Sequence, residues 1–252
     1  MVSGYTLKWR HDLPNEIGTI RHIFQYPVKS MAGVCLDTAS LGWHGLEGDR
    51  RFAFRRAADK SGFPWLTASR LPELLLYKPL RQAELESKHP THVLTPGGRE
   101  LELRSEELQA ELAQKHGSAV ELMQLNHGIF DEAPVSIISL ETILEMGREA
   151  GRELDVRRFR PNIVVETNSF EPFAEDSWLG RNVCFGAEAD SPAVSIAMRD
   201  ERCVMINLDP ETAEKDTSVT KAAVGLNGNH AGVYATVICV GELAVGQKVY
   251  LR

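Results

Sequence analysis

GVYATVICVGELAVGQKVYLR, residues 232–252, decides the fold class. Tyr234, Thr236, Ile238 and Val240 share one face of an alternating pattern, the two-residue period of a β-strand. Gly241 and Gly246 then cut the run into two or three short strands, a spacing suited to a small closed β-barrel.

The same period recurs upstream. In GTIRHIFQYPV (18–28), Ile20, Phe24 and Tyr26 alternate with Thr19, Arg21 and Gln25, which predicts a strand ending at Pro27. RRFAFRR (50–56) places Phe52 and Phe54 on one face with charges outside, and HVLTPGGRELEL (92–103) predicts a hairpin turning at Pro96-Gly97-Gly98. Two helices interrupt the strands. Ser105 is a suitable N-cap for the first, with Glu106 and Glu107 at the positive end of the dipole, Leu108 and Leu112 on one face and Gly117 as terminator. The second, SLETILEMGREAG, runs from Ser139 to Gly151 on the same logic. The expected fold is mainly β, a β-barrel with a few helices. The polar stretch MQLNHGIFDEAP (123–134) marks the expected division, giving an N-terminal β-barrel-like domain over 1–128 and a second domain over 129–252.

Composition narrows the partners. With 252 residues, 43% hydrophobic and 25% charged, the chain has ordinary globular usage and can bury a sizeable core. A net charge of -7 provides no basic footprint, so nucleic acid is not expected as a partner. The segment MVSGYTLKWRHDLPNEIG has no apolar run suited to a signal peptide, and nowhere do eighteen uncharged apolar residues follow one another. A cytoplasmic location without membrane contact is the expectation. Cys35, Cys184, Cys203 and Cys239 form no CxxC pair, which argues for free thiols in a reducing compartment and against a structural zinc site or an internal iron–sulfur cluster. Cys35, Cys184 and Cys239 read as small hydrophobes in strands. His89 and His92 read as a surface loop.

Three segments put basic and small polar residues at strand ends: YPVKS (26–30), GLEGDRRF (45–52) and RFRPN (158–162). Pro27 leaves Lys29 and Ser30 on a loop, where an ammonium beside a hydroxyl suits a phosphate. Gly45 and Gly48 permit a tight turn before Asp49 and Arg50, and an Arg held by a neighbouring carboxylate presents a fork to phosphate oxygens. Arg160, before Pro161, is equally served by pairing with Asp155 or Glu166. No P-loop or GxGxxG occurs. A fourth segment, AMRDERCVMINLDPET (197–212), runs Arg199, Asp200, Glu201 and Arg202 directly into Cys203, an unusual introduction for a cysteine that merely fills a core.

Taken in order, YPVKSMAGV, GLEGDRRF, DEAPVSIISLETI, RFRPNIVVE, PFAEDSWLG, ERCVMINLDPET, GVYATV and GELAVGQKVYL resemble the MOSC family, the molybdenum cofactor sulfurase C-terminal domain, preceded by its N-terminal β-barrel region. The resemblance covers Ile17 to Arg252, and the pattern is similar to that of two-part members such as the mitochondrial amidoxime reducing component and its bacterial counterparts.

The resemblance implies a bound molybdenum cofactor, Mo-molybdopterin, and reduction of small N-hydroxylated compounds. It implies Cys203 as molybdenum ligand, consistent with a soft thiolate donor whose ionised form Arg199 or Arg202 would favour. Lys29, Ser30 and Arg50 are implied as phosphate anchors, Arg160 and Asn162 as partners of the pterin, and the charged run Arg199, Asp200, Glu201 and Arg202 as the wall of the cofactor pocket, with Arg202 cofactor-binding. Tyr234 matches a tyrosine close to the metal or else packs in its strand. Asp131 matches a position near the pocket, where it relays protons or caps a turn. In AEDSW (174–178), Glu175 and Asp176 are readily explained by turn hydrogen bonds and Trp178 as a core plug. Electrons are expected from a separate donor protein of flavoprotein or ferredoxin type. TASRLP (67–72) departs from the family's T-x-R-x-x-P, with Ser69 at the arginine position and Arg70 one place later, so no role is assigned to Arg70. Glu201 also stands where amidoxime-reducing members carry a small polar residue. Two other readings stay open: a sulfur carrier holding a persulfide on Cys203, and a cofactor-binding module without turnover.

Overall fold

A computed structural model describes residues 15–81, 89–127 and 129–252; the reading of residues 1–14 and the proposed division at residue 128 fall outside them. Among the described residues the N-terminal half contributes β1 (Asn15–Gln25), β2 (Val34–Leu36), β3 (Thr38–Gly42), β4 (Gly45–Leu46), β5 (Phe52–Arg56), β6 (Lys78–Leu80), β7 (His92–Leu94), β8 (Glu100–Glu102), α1 (Glu106–His116) and β9 (Val120–Gln124). The remainder contributes β10 (Val135–Ser139), α2 (Leu140–Ala150), β11 (Ile163–Thr167), β12 (Asn182–Phe185), β13 (Ala193–Glu201), α3 (Ser218–Asn227), β14 (His230–Cys239), β15 (Gly241–Ala244) and β16 (Lys248–Leu251).

The fold is mainly β, as expected, and its centre is a closed seven-stranded barrel in the order β11-β10-β14-β13-β12-β16-β1, sealed by the antiparallel pairing of β1 with β11. Closure matters because an open sheet would leave two rows of unpaired N–H and C=O groups. The β10–β11 pair is parallel, so the chain must cross over between them, and α2 with a 3-10 turn at Val156–Phe159 makes that crossing. Ile20, Ile23, Val135, Ile137, Ile163, Val165, Val194, Ile196, Val233 and Val249 fill the barrel, plugged by Trp178. Each such side chain contributes about 1.5–3 kcal/mol on burial.

One expected strand face is corrected. Ile20, Phe24 and Tyr26 do not share a side, because the register of β1 slips between Ile20 and His22. The extra residue reverses the alternation. Ile20 and Ile23 therefore enter the barrel, whereas Phe24 and Tyr26 join a second core with Ile143, Met146, Phe159 and Val219 beneath α2 and α3. A third core, with Phe52, Phe54, Leu66, Tyr77, Val93 and Leu108, joins the β5–β9 pair, α1 and the β6–β7–β8 sheet, which holds the hairpin over Thr95–Arg99.

Ser105 and Ser139 cap α1 and α2 by accepting from the amides of Leu108 and Thr142, both at 3.2 Å, and Gly117 and Gly151 end them in the left-handed conformation. The expectation of two helices falls short by one. Residues 218–227 form α3 although Thr217 makes no side-chain cap; Asn207 supplies that function from a distance, its Oδ1 accepting from the Thr220 amide at 3.0 Å and hydroxyl at 2.9 Å. Of the cysteines expected in apolar surroundings, Cys184 is buried, Cys239 half-buried and Cys35 exposed on β2, where a three-residue edge strand leaves its side chain uncovered.

Candidate functional site

A cleft of about 1030 Å³ is lined among others by Lys29, Ser30, Arg50, Asp131, Arg160, Arg202, Cys203 and Tyr234. Seven of the eight come from strand ends or the loops beyond them; Tyr234 lies within β14. Of the nine residues that sequence reading assigned to a site, only Asn162 does not line this cleft.

The basic side is built around Tyr26. Arg160 and Arg50 lie over its ring with guanidinium carbons 4.2 and 5.0 Å from the centroid. Gly45 and Gly48 take φ values of +95° and +81°, making the turn that delivers Asp49 and Arg50. Asp49 is fully buried; it accepts from the Tyr26 amide at 2.6 Å and from Arg50 Nη1 at 2.5 Å. Arg50 also donates to Asn162 Oδ1 at 3.2 Å and the Arg160 carbonyl at 2.9 Å, while its Nε meets Asp131 Oδ2 at 2.5 Å. Ser30, Arg50 and Arg160 adopt positive φ of 65°, 45° and 50°. Such backbone is unfavourable for non-glycine residues by roughly 1–2 kcal/mol each, a cost that concentrates at ligand sites.

Arg160 finds no carboxylate. Asp155, one of its two anticipated partners, is engaged by Arg157, and Arg160 Nη1 donates instead to the Met31 carbonyl at 2.8 Å. Its Nη2 is buried without a hydrogen-bond partner, and so is Nη2 of Arg202. Burial, with Arg50 nearby, lowers the Arg160 pKa from its ordinary value. Asn162 is fully buried, and its amide is used internally: Oδ1 accepts from Arg50 and the Ser136 amide, and Nδ2 donates to the Phe24 carbonyl. Asn162 thus fixes Arg50 from beneath the cleft.

Cys203 is exposed at the start of a 3-10 turn, Val204–Asn207. Asn229, itself at φ +69°, pins the preceding residue from both sides, since its carbonyl accepts from the Arg202 amide and its Nδ2 donates to the Arg202 carbonyl, each at 2.8 Å. Beyond the turn, Arg158 holds the Asn207 carbonyl at 3.1 Å and Asp209 at 2.7 Å, and Asp209 caps the next loop through the amides of Glu211 and Thr212. This ties the RFRPN and DPET segments together. The charged run before Cys203 divides by strand alternation: Asp200 and Arg202 turn inward and are buried, and Glu201 is exposed. Arg199, which also lines the cleft, pairs with Asp176 at 2.8 Å.

Arg202 is locked by the Ala231 carbonyl at 2.6 Å, the Phe159 carbonyl at 2.8 Å and Asp200 at 3.0 Å. The room it needs comes from Gly232, at φ +86°, where a Cβ would lie 2.7 Å from the Ile137 carbonyl and 3.0 Å from Arg202 Nη2. Burial pushes the Lys29 pKa down despite Asp131. Burial pushes the Asp131 carboxyl up, yet Arg50 and Lys29 pull it further down, so it stays ionised below the usual carboxylate range. Burial and then Asp200 and Asp131 raise Tyr234, keeping its phenol neutral.

The charged run Arg199 to Arg202, expected as a pocket wall, does line the cleft, with Asp200 given no role of its own in the sequence; sequence reading missed the aromatic wall of Phe63, Trp65 and Phe130, in which Trp65 and Phe130 meet edge to face with centroids 4.6 Å apart. Ser69 lines the cleft, but Arg70 is exposed outside that lining. Trp178 is a core plug as expected, whereas Glu175 is fully buried and accepts from Ser139 and Thr142, a structural carboxylate raised by burial. Among the described residues no group of three or more His, Cys, Asp or Glu side chains is placed to hold a metal ion, and no helix is long and apolar enough to cross a membrane.

The chain is 24% identical to mitochondrial amidoxime reducing component 2 of Bos taurus, covering 96% of this chain and 87% of the relative, and 24% identical to the protein of the same name of Homo sapiens, covering 97% and 88%. Among solved structures it is similar to the YUAD protein from Bacillus subtilis, with 13% identity, a TM-score of 0.49 and coverage of 93% and 95%. The MOSC N-terminal beta barrel domain matches residues 17–133 and the MOSC domain residues 116–250. With the second match alone spanning more than half of the sequence, the chain belongs to the MOSC domain family.

Proposed function

We propose that the protein is a molybdenum-cofactor-dependent oxidoreductase that reduces N-hydroxylated compounds such as hydroxylamines and amidoximes. The observation that carries this reading is the meeting, in one cleft, of an exposed thiol at Cys203 with buried and unpartnered guanidinium nitrogens on Arg160 and Arg202. A buried donor without an acceptor is costly by about 1–3 kcal/mol, and the phosphate and pterin acceptors of molybdopterin would satisfy both. The fit extends to size, since the cleft of about 1030 Å³ lies at the upper end of the usual range for bound ligands.

When bound, the cofactor would supply a two-electron couple. Cys203 is the protein's soft ligand to the metal. Lys29, Ser30 and Arg50 form the phosphate clamp, which Asp49, Asp131 and Asn162 orient. Arg160 and Arg202 face the pterin. Tyr234, kept neutral, is a hydrogen-bonding group beside the substrate, and the wall of Trp65 and Phe130 keeps water from that side. The names of the two mammalian relatives support the substrate class. A separate electron-donor protein, of flavoprotein or ferredoxin type, completes the scheme, and we place the reaction in the cytoplasm.

The test is the metal and pterin content of protein purified from molybdate-supplemented cells, with Cys203→Ser alongside. Near-stoichiometric molybdenum with pterin in the wild type, lost or altered in the variant, is expected. Wild-type protein that takes up no cofactor even when loaded in vitro would overturn the reading, and a cyanide-labile sulfur on Cys203 without molybdenum would identify a sulfur carrier instead.

A further inference from the structure

Two aspartates share the cleft, and their surroundings drive them apart. Asp131 is clamped by Arg50 at 2.5 Å, with Lys29 at 3.9 Å, and remains ionised. Asp200, near the end of β13, is 2% exposed. The Ser136 hydroxyl donates to its Oδ2 at 3.3 Å and Arg202 Nη1 lies 3.0 Å from the same oxygen. Arg202 is a divided partner, because its Nε and Nη1 donate to the carbonyls of Ala231 and Phe159. Burial, joined by the like charge of Asp131, outweighs Arg202 and lifts Asp200 to about 6. The charged and titratable groups facing Asp200 are Arg202 beyond the end of its own strand, Asp131 from the loop before β10, Arg50 from the turn before β5 and Tyr234 on β14. Two carboxyls in one site whose environments separate their titration mark the division between a fixed charge and a proton carrier.

We propose that Asp200 carries the proton of this cleft and donates it to the oxygen leaving an N-hydroxylated substrate, while Asp131 is the fixed counter-ion of Arg50. The proposal rests on the reductase reading above. Conversion of R–NHOH to R–NH2 and water breaks the N–O bond and consumes two electrons and two protons. The electrons come from the separate donor protein by way of the bound cofactor. One proton comes from the Asp200 carboxyl and the other from solvent, and solvent then reprotonates Asp200. Tyr234 is the weaker donor, because burial and the nearby carboxylates raise its phenol further above the neutral range.

Infrared difference spectroscopy of the cofactor-free protein gives the first readout. A protonated-carboxyl band that disappears between about pH 5 and 7 and is missing from Asp200→Asn is expected; a wild type without that band overturns the proposal whatever the enzyme does. The second readout is reduction of hydroxylamine by the cofactor-loaded protein with a dithionite-reduced viologen dye. Wild-type kcat should fall about tenfold per pH unit above about 6, Asp200→Asn should lose that slope and about 100-fold in kcat at pH 6, and Asp200→Glu should recover part of both. A variant with wild-type kcat and slope defeats the assignment of Asp200 alone. No turnover by the wild type, although it is loaded, defeats the reductase reading and the delivery step with it.

Discussion

Arg50 and Arg160 both lie over the ring of Tyr26, yet their removal should have opposite consequences. Arg50→Met strands the buried carboxylate of Asp49 and leaves half-buried Asp131 with Lys29 alone, so a loss of about 3–5 kcal/mol, seen as a melting temperature lower by roughly 10 °C, is expected. Arg160→Met strands no carboxylate and removes an unpartnered nitrogen; stability should stay within about 1 kcal/mol of wild type while retained cofactor falls at least about tenfold. Asp200 has a stability signature of its own. Its folded value near 6 stands above the ordinary carboxylate value, so the shift costs nothing below about pH 4, where folded and unfolded chains are both protonated. Between about pH 4 and 6 the unfolded chain ionises first, and above that window the folded state is worse by about 2–3 kcal/mol. Denaturant titrations of Asp200→Asn should therefore show a gain of that order at pH 8 and none at pH 4. Asp131 runs in the other direction: its contribution is present above the ordinary carboxylate range and disappears on acidification.

The elements differ in how openly the sequence declares them. Ser105, Gly117, Ser139 and Gly151 announce α1 and α2 because their caps are local, each made within a few residues. Helix α3 is less open: Asp216 accepts locally from the Ser218 amide, but the Thr220 amide is met by Asn207 across a gap of thirteen residues. Asn207→Ala should thus leave the Thr220 amide unsatisfied and cost about 1–3 kcal/mol, readable by thermal unfolding, although the change lies outside the helix that suffers. The bulge in β1 has no marker residue, which is why Phe24 and Tyr26 read as companions of Ile20. At the site, basic residues near Pro or Gly were legible because turn chemistry is local. Asp200 was legible only as a member of the charged run, since alternation separates it from Glu201 but the strands paired with β13 decide which face turns inward, and the burial of Asn162 could not be recognised before Arg50 was placed beside it.

At the scale of the molecule the two halves are interlocked. We keep 1–128 and 129–252 as a proposed division of the sequence, while in space β1 seals the barrel made by the later strands. The cleft likewise takes Lys29, Ser30 and Arg50 from one side of that division and Arg160, Arg202 and Cys203 from the other. A fragment of residues 129–252 would leave β11 and β16 with bare edges, and it should show no cooperative unfolding transition by circular dichroism until coexpressed with residues 1–128. The seam also sets a timetable for synthesis. Asn15 to Thr19 pair with Lys248 to Leu251, so β1 waits for translation to pass Leu251, more than two hundred residues later, before the ring can shut. Folding of this barrel is accordingly a late and slow event governed by distant contacts, and nascent chains stalled before β16 emerges present open sheet edges that call for chaperone protection.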